Sequence, residues 1–201
     1  PKTTRPNVSS INLYQIAQTK SHQELFDALK ATENRRAMSY DLSTYNPETN
    51  HEEGDKMPNL NEFLTDAEMW NIVKFMKEGM YNVTNLYDAT YTGTYPTGTA
   101  TFSNIGLNGN AETGSAYYVA NCAACHGADG TTLELEGKTL GKFTRSKPNE
   151  VQHKVHYGQP GSDMSGQFDA TVDEVKDLYK ALADTETFPD EVPSTGDMAL
   201  G

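Results

Sequence analysis

Both cysteines of this 201-residue chain, and a histidine directly behind the second, sit in one stretch, Asn121-Cys122-Ala123-Ala124-Cys125-His126-Gly127. Few folds can use such a cluster. A Cys-x-x-Cys pair serves as a redox disulfide, as half of a zinc site or, with histidine next, as an attachment point for c-type haem. The redox reading wants a strand before the motif inside a βαβ unit. Here AETGSAYYVAN precedes it, and Tyr118, Cys122 and Cys125 fall four and three apart, the spacing of a helix running into the motif. Zinc would recruit His153 and His156 from HKVH. Only Lys154 and Val155 separate those histidines, against the usual three to five residues, and they lie about twice too far from Cys125 for a finger.

Haem attachment accounts for all three residues together. Two thiols add across two vinyl groups on one porphyrin edge, so the cysteines must be close and fixed in order. The adjacent histidine is then held under the iron, and Gly127 permits a turn behind it. A second axial ligand has few candidates. Met164 lies in GQPGSDMSGQF, where Gly158, Pro160, Gly161 and Gly166 make an irregular loop. Its polar neighbours leave it no apolar stripe to join, which favours ligation over core filling. The rivals are His156 and His153, which share a face of the predicted helix NEVQHKVHY; their other role is at the surface or as hydrogen-bond donors to a haem propionate.

On these residues, 112–187 resembles a class I c-type cytochrome: a helix with Gly114 and Tyr117, then CAACH, a variable loop, a helix, the methionine loop and a closing helix. The resemblance implies one covalent haem c on Cys122 and Cys125, His126 as proximal and Met164 as distal iron ligand. It also implies a close crossing of first and last helices, with Gly114 and Tyr179 at the matching positions. One departure stands out: the family commonly has Met-Pro where this chain has Met164-Ser165.

The first half echoes the second without a cysteine. TDAEMWNIVKFM from Thr65 and TVDEVKDLYKAL from Thr171 both open with a capping box, Thr65 with Glu68 and Thr171 with Glu174. Apolar residues follow on one helical face, at Met69, Ile72, Val73, Met76 and at Val175, Leu178, Tyr179, Leu182. Upstream, SHQELFDALK, with its own box of Ser21 and Glu24, parallels KPNEVQHKVH, and Met57 precedes its helix as Met164 does. Residues 1–80 are therefore read as a smaller, haemless cytochrome c-like domain, and the whole resembles a dihaem cytochrome c that lost its first haem. A non-covalent haem on His22 or His51 with Met57 is the alternative.

Residues 81–110 carry one charge, Asp88, among many Thr, Gly, Tyr and Asn. They read as a linker or strap that allows a short β-hairpin. Tyr87, Tyr91, Tyr95 and Phe102 could face a partner or pin the strap to its own protein. The haem domain is placed at 111–187 and an extended tail at 188–201, its acidic and Pro/Gly character beginning at Glu186. The expected fold is mainly α.

Net charge is −12, with 13 acidic against 9 basic residues in 1–110 and 15 against 7 in 111–201. That excludes the basic footprint of a nucleic-acid binder and suits basic partner surfaces. No apolar run reaches the roughly 20 residues of a membrane span. The expectation is a monohaem electron carrier between protein donors and acceptors, periplasmic or at the cell surface. Two alternatives stand: a haem subunit built into a larger redox complex or extracellular cytochrome assembly through the N-terminal half and strap, and an open-site haem enzyme or gas- or peroxide-binding protein.

Overall fold

Three capping boxes set the starts of the helices that matter most. The hydroxyls of Ser21, Thr65 and Thr171 accept from the backbone N–H groups of Glu24, Glu68 and Glu174 at 3.1, 3.3 and 3.2 Å. Each glutamate reaches back to the cap residue's own N–H at 2.8 Å. Two amides that a helix start leaves free are thereby satisfied at each site. The computed structural model describes residues 13–44, 46, 49, 51–92 and 99–192. Tyr95 and the tail beyond Val192 lie outside them, as do the side chains of His51 and Tyr91. Among the described residues the protein is mainly α-helical with one two-stranded sheet. They form two compact units, one from the residues up to Tyr81 with those of 91–99, the other from 82–90 and from Ala100 onward.

The first unit comprises α1 (Leu13–Thr19), α2 (His22–Lys30), the single turn α3 (His51–Gly54) and α4 (Asp66–Lys74), which runs on into a π-helical turn at Phe75–Gly79. Ala17, Leu25, Phe26, Leu29, Leu60, Met69 and Val73 make its core, with Leu64, Ile72 and Met76 packed against it. Trp70 stacks on Phe26 at 4.4 Å, nearly parallel. Lys77 donates to the carbonyls of Ala17 and Lys20, which closes the end of α1.

The two-stranded sheet, β1 (Asp88–Thr92) and β2 (Thr99–Ser103), forms in the hairpin place allowed by the sequence, with Asp88–Thr90 and Ala100–Ser103 counted in the second unit. Five helices follow: α5 (Ala111–Asn121), α6 (Ala123–His126), α7 (Leu140–Ser146), α8 (Pro148–Tyr157) and α9 (Val172–Leu182). α5 and α9 cross at Gly114, where a Cβ would lie 1.9 Å from the Asp177 carbonyl oxygen and 2.9 Å from the Leu178 nitrogen. The close crossing is as anticipated, and the α9 backbone at 177–178 is the nearest obstacle to a side chain at Gly114. Tyr179 is fully buried, donates to the Pro148 carbonyl at the start of α8, and stacks on Tyr87.

The ends of the presumed strap are thus part of this unit. Leu86 and Tyr87 are buried, and Gly106 and Gly109 press on the α9 backbone at Lys180 and Lys176. The start of the tail also departs from the extended chain expected there. Phe188 is 1% exposed, with its ring edge-on to Tyr118 at 4.8 Å. Arg145 of α7 donates to the carbonyls of Leu182 and Phe188, both at 2.7 Å, and to Asp190 at 2.8 Å. One apolar side chain in an acidic segment is enough to dock it, since burying a phenylalanine contributes roughly 1.5–3 kcal/mol.

Candidate functional site

The site starts where α5 stops. The N–H of Cys122 still bonds the Tyr118 carbonyl at 2.8 Å, but Cys122 then leaves helical geometry, with φ −128°. α6 restarts at once, and the N–H groups of Cys125 and His126 both return to the Cys122 carbonyl, at 3.1 and 3.0 Å. Gly127 ends the turn at φ 83°, and the Tyr118 hydroxyl donates to its carbonyl at 2.6 Å. The two sulfurs and the imidazole are therefore presented by a short stretch of backbone whose Cys122, Cys125, His126 and Gly127 N–H groups are all bonded.

They open on one cleft. Cys122, Cys125, His126 and Met164 all line a cavity of about 620 Å³, with Leu135 and Phe143 among its apolar walls. That volume lies in the range of ligand and cofactor clefts, roughly 300–1,000 Å³. A smaller void of about 40 Å³ shares Cys122, His126 and Met164 and is walled by Tyr118, Val151, Leu178 and Leu182. Sequence reasoning had assigned no role to Val151, Val155, Leu135 or Phe143. The four-residue spacing of Val151 and Val155 on one face of α8 was the available signal.

Burial decides the electrostatics. The Cys122 thiol is pushed up to about 11, mainly by desolvation and secondarily by Cys125, so it stays protonated at neutral pH. Desolvation pushes the His126 pKa below its ordinary value, which favours the neutral ring. Cys122 and Cys125 are not joined in a disulfide.

Met164 is carried by a loop clasped to the end of α8. Gly158 and Gly161 take φ of 75° and 79°. A Cβ on Gly158 would lie 2.4 Å from the Met164 carbonyl oxygen, and one on Gly166 would lie 2.5 Å from the His156 carbonyl oxygen. The Met164 carbonyl accepts from the Gln159 N–H at 3.1 Å, and the Val155 carbonyl accepts from the Gln167 N–H at 2.8 Å.

The rival ligands sit elsewhere. Neither His153 nor His156 is among the residues lining either cavity. Their rings pack on Tyr157 at 5.2 and 4.5 Å, and His156 also meets Phe168. In the first unit Met57 is 42% exposed, and His22 is exposed on α2. Among the described residues, no group of three or more His, Cys, Asp or Glu side chains converges as a metal site. No described helix is long and apolar enough to cross a membrane.

Comparison with known proteins adds a family. Residues 109–180 match the family described as cytochrome C oxidase, cbb3-type, subunit III. No curated protein and no solved structure gives a significant match to the chain. The C-terminal part of the protein thus carries a c-type cytochrome domain, a class that holds haem c covalently and transfers electrons. The residues present fit that group. His126 is 9% exposed, it lines the cavity, and its Nδ1 has no hydrogen-bond partner. Two uncommitted thiols stand beside it, and Leu135, Phe143 and Val155 supply apolar wall.

Proposed function

We propose that the protein is a monohaem c-type cytochrome that passes single electrons between protein partners. The observation that carries this reading is the convergence of Cys122, Cys125, His126 and Met164 on one cofactor-sized cleft. Cys122 and Cys125 would hold the group by thioether bonds, and His126 and Met164 would ligate its iron. When bound, haem c supplies a one-electron ferric/ferrous couple, and thioether opposite imidazole favours the ferrous form. The protein's contribution is to position and to exclude water. Tyr118, Phe143, Leu178 and Leu182, all buried, keep the inner wall dry, and the α5–α9 crossing holds the attachment turn against it. The acidic surface suits a basic donor or acceptor in brief encounters. Covalent attachment implies a periplasmic or cell-surface location.

The first unit is read as a cytochrome-like module without haem. Setting SHQELFDALK on KPNEVQHKVH places Leu25 and Leu29 at Val151 and Val155. Where the second unit lines a small void at those positions, the first packs Leu25, Phe26 and Leu29 with Met69 and Val73 into one core. Larger side chains at the wall positions fill the space instead of framing it.

A second reading follows from the matched family, whose name is that of an oxidase subunit: the protein is a haem subunit of a larger redox complex. One experiment tests the main reading. A pyridine haemochrome assay should give one c-type haem per chain, and the oxidised spectrum should show the weak long-wavelength methionine–iron band. Two haems, or a high-spin spectrum that shifts with added ligand, would overturn it.

A further inference from the structure

Four charged side chains line the cleft: Glu134, Glu136, Asp163 and Lys154. Haem brings two carboxylates of its own, so three of the four would repel it. Placing a carboxylate in a partly apolar cleft without a cation is costly. Lys154 is the lining residue that can meet this need; it attracts Glu136 only at longer range, behind the direct pairing of Glu136 with Lys147. Lys154 projects from α8 beside Val155, which lines the cleft with it, and about one turn on from Val151, which lines the smaller void. Its ammonium donates to the side-chain oxygen of Gln159, a neutral partner. Glu136 is instead engaged by Lys147 at 2.7 Å, a pairing that holds its carboxyl below the usual range. Lys154 is therefore half-buried, oriented and not neutralised by any ion pair of 4 Å or less among the described residues.

We infer that Lys154 is the anchor for a haem propionate, a positioning residue that Gln159 holds ready in the cleft. The inference rests on the haem-binding reading above and names a residue that sequence reasoning had passed over in favour of His153 and His156. The position also separates the two units: in the alignment of the two helices Ala28 stands where the haem domain has Lys154.

The test uses the holoprotein. Lys154→Met keeps the length of the stem and removes the charge; Lys154→Arg keeps the charge. The midpoint potential, measured by redox titration, should fall in Lys154→Met, because a nearby cation disfavours ferric iron and an unpaired propionate favours it. Lys154→Arg should retain the wild-type value. Gln159→Leu, which frees the ammonium without removing it, should give a smaller fall. Lys142→Met removes the same charge from an exposed pair with Glu191 and should leave the potential unchanged. If Lys154→Met is loaded with haem and its potential matches wild type, or if Lys154→Arg falls as far as Lys154→Met, the anchor role is wrong. If no chain carries covalent haem, it is the functional reading that fails, and the haemochrome assay distinguishes the two.

Discussion

Replacing Gly114 by alanine tests the crossing on which the site is built. A methyl group there would sit 1.9 Å from the Asp177 carbonyl oxygen and 2.4 Å from its carbon, where ordinary contact begins near 3.4 Å. The obstacle is helix backbone, which cannot rotate away as a side chain would. α5 must therefore lift from α9 by about 1.5 Å, loosening Tyr118, Leu178, Tyr179 and Leu182, all at most 2% exposed. Overpacking of this kind costs about 1–3 kcal/mol, and more where nothing can yield. Against it stands the better helix propensity of alanine, worth about 1 kcal/mol. Because the obstacle is backbone, the upper end of the overpacking range applies, and the net loss should be about 2 kcal/mol. At roughly 4 °C per kcal/mol for a domain near 100 residues, the melting temperature should fall by about 8 °C.

Thermal melting of the holoprotein, followed by far-ultraviolet circular dichroism, reads this out. Val119→Ala on the same helix is the control, because Val119 is 67% exposed and its loss should move the midpoint little. The yield of haem-bearing chain should also drop for Gly114→Ala, since α5 delivers Cys122 to the cleft. A melting temperature at or above wild type would refute the argument: the helices would then have slack at the crossing, and glycine would be only a cost.

Other outcomes follow from the same geometry. Met164→Ala should keep its covalent haem, lose the long-wavelength band and bind added imidazole, all visible by absorption. Phe188→Ala should destabilise the haem domain by about 3 kcal/mol or more in urea melts, the usual loss for a buried phenylalanine; a near-neutral result would mean that the segment after α9 is not part of the fold. The capping glutamates give an acid limb. Hydrogen bonds from the backbone N–H of Ser21, Thr65 and Thr171 are the leading cause that holds Glu24, Glu68 and Glu174 below the usual carboxylate range, Glu24 at about 2. A depressed carboxylate stabilises the fold above its unfolded pKa, and that contribution is lost as pH falls through the folded value. Urea midpoints should therefore decline from about pH 4.5 toward pH 2, and a Glu24→Gln, Glu68→Gln, Glu174→Gln variant should decline less.

Much of this architecture was legible because its signals are local. A capping box needs residues three apart, and all three boxes form as read. The helix into CAACH and the helix NEVQHKVHY rest on spacing within one or two turns, and both are present. The hairpin was legible as alternation in Thr-rich segments. What escaped notice depends on contacts far apart in sequence. Arg145 reaching Phe188 spans 43 residues, and no local pattern announces it. Lys154 and Gln159 are only five residues apart, but their pairing depends on the positive φ of Gly158 between them rather than on a helical spacing. Histidine chemistry marks His153 and His156 as candidate ligands, yet the face of α8 that meets the cleft and the void beside it carries Val151, Lys154 and Val155.

The missing proline after Met164 shows how one device stands in for another. Proline stiffens a ligand loop by fixing φ, so its effect is written into one residue. Here the same stretch is held from outside. The left-handed φ of Gly158 brings the backbone of Met164 within a distance that no side chain at 158 would permit, and Gly166 does the same against the end of α8. Two backbone hydrogen bonds then tie the loop at Gln159 and Gln167, on either side of the methionine. The four glycine and glutamine positions do together what a single proline does alone, because restraint at both ends of a short loop leaves its middle few conformations. Ser165 is therefore free to be any small residue, and it is the glycines at 158 and 166 whose replacement would release Met164.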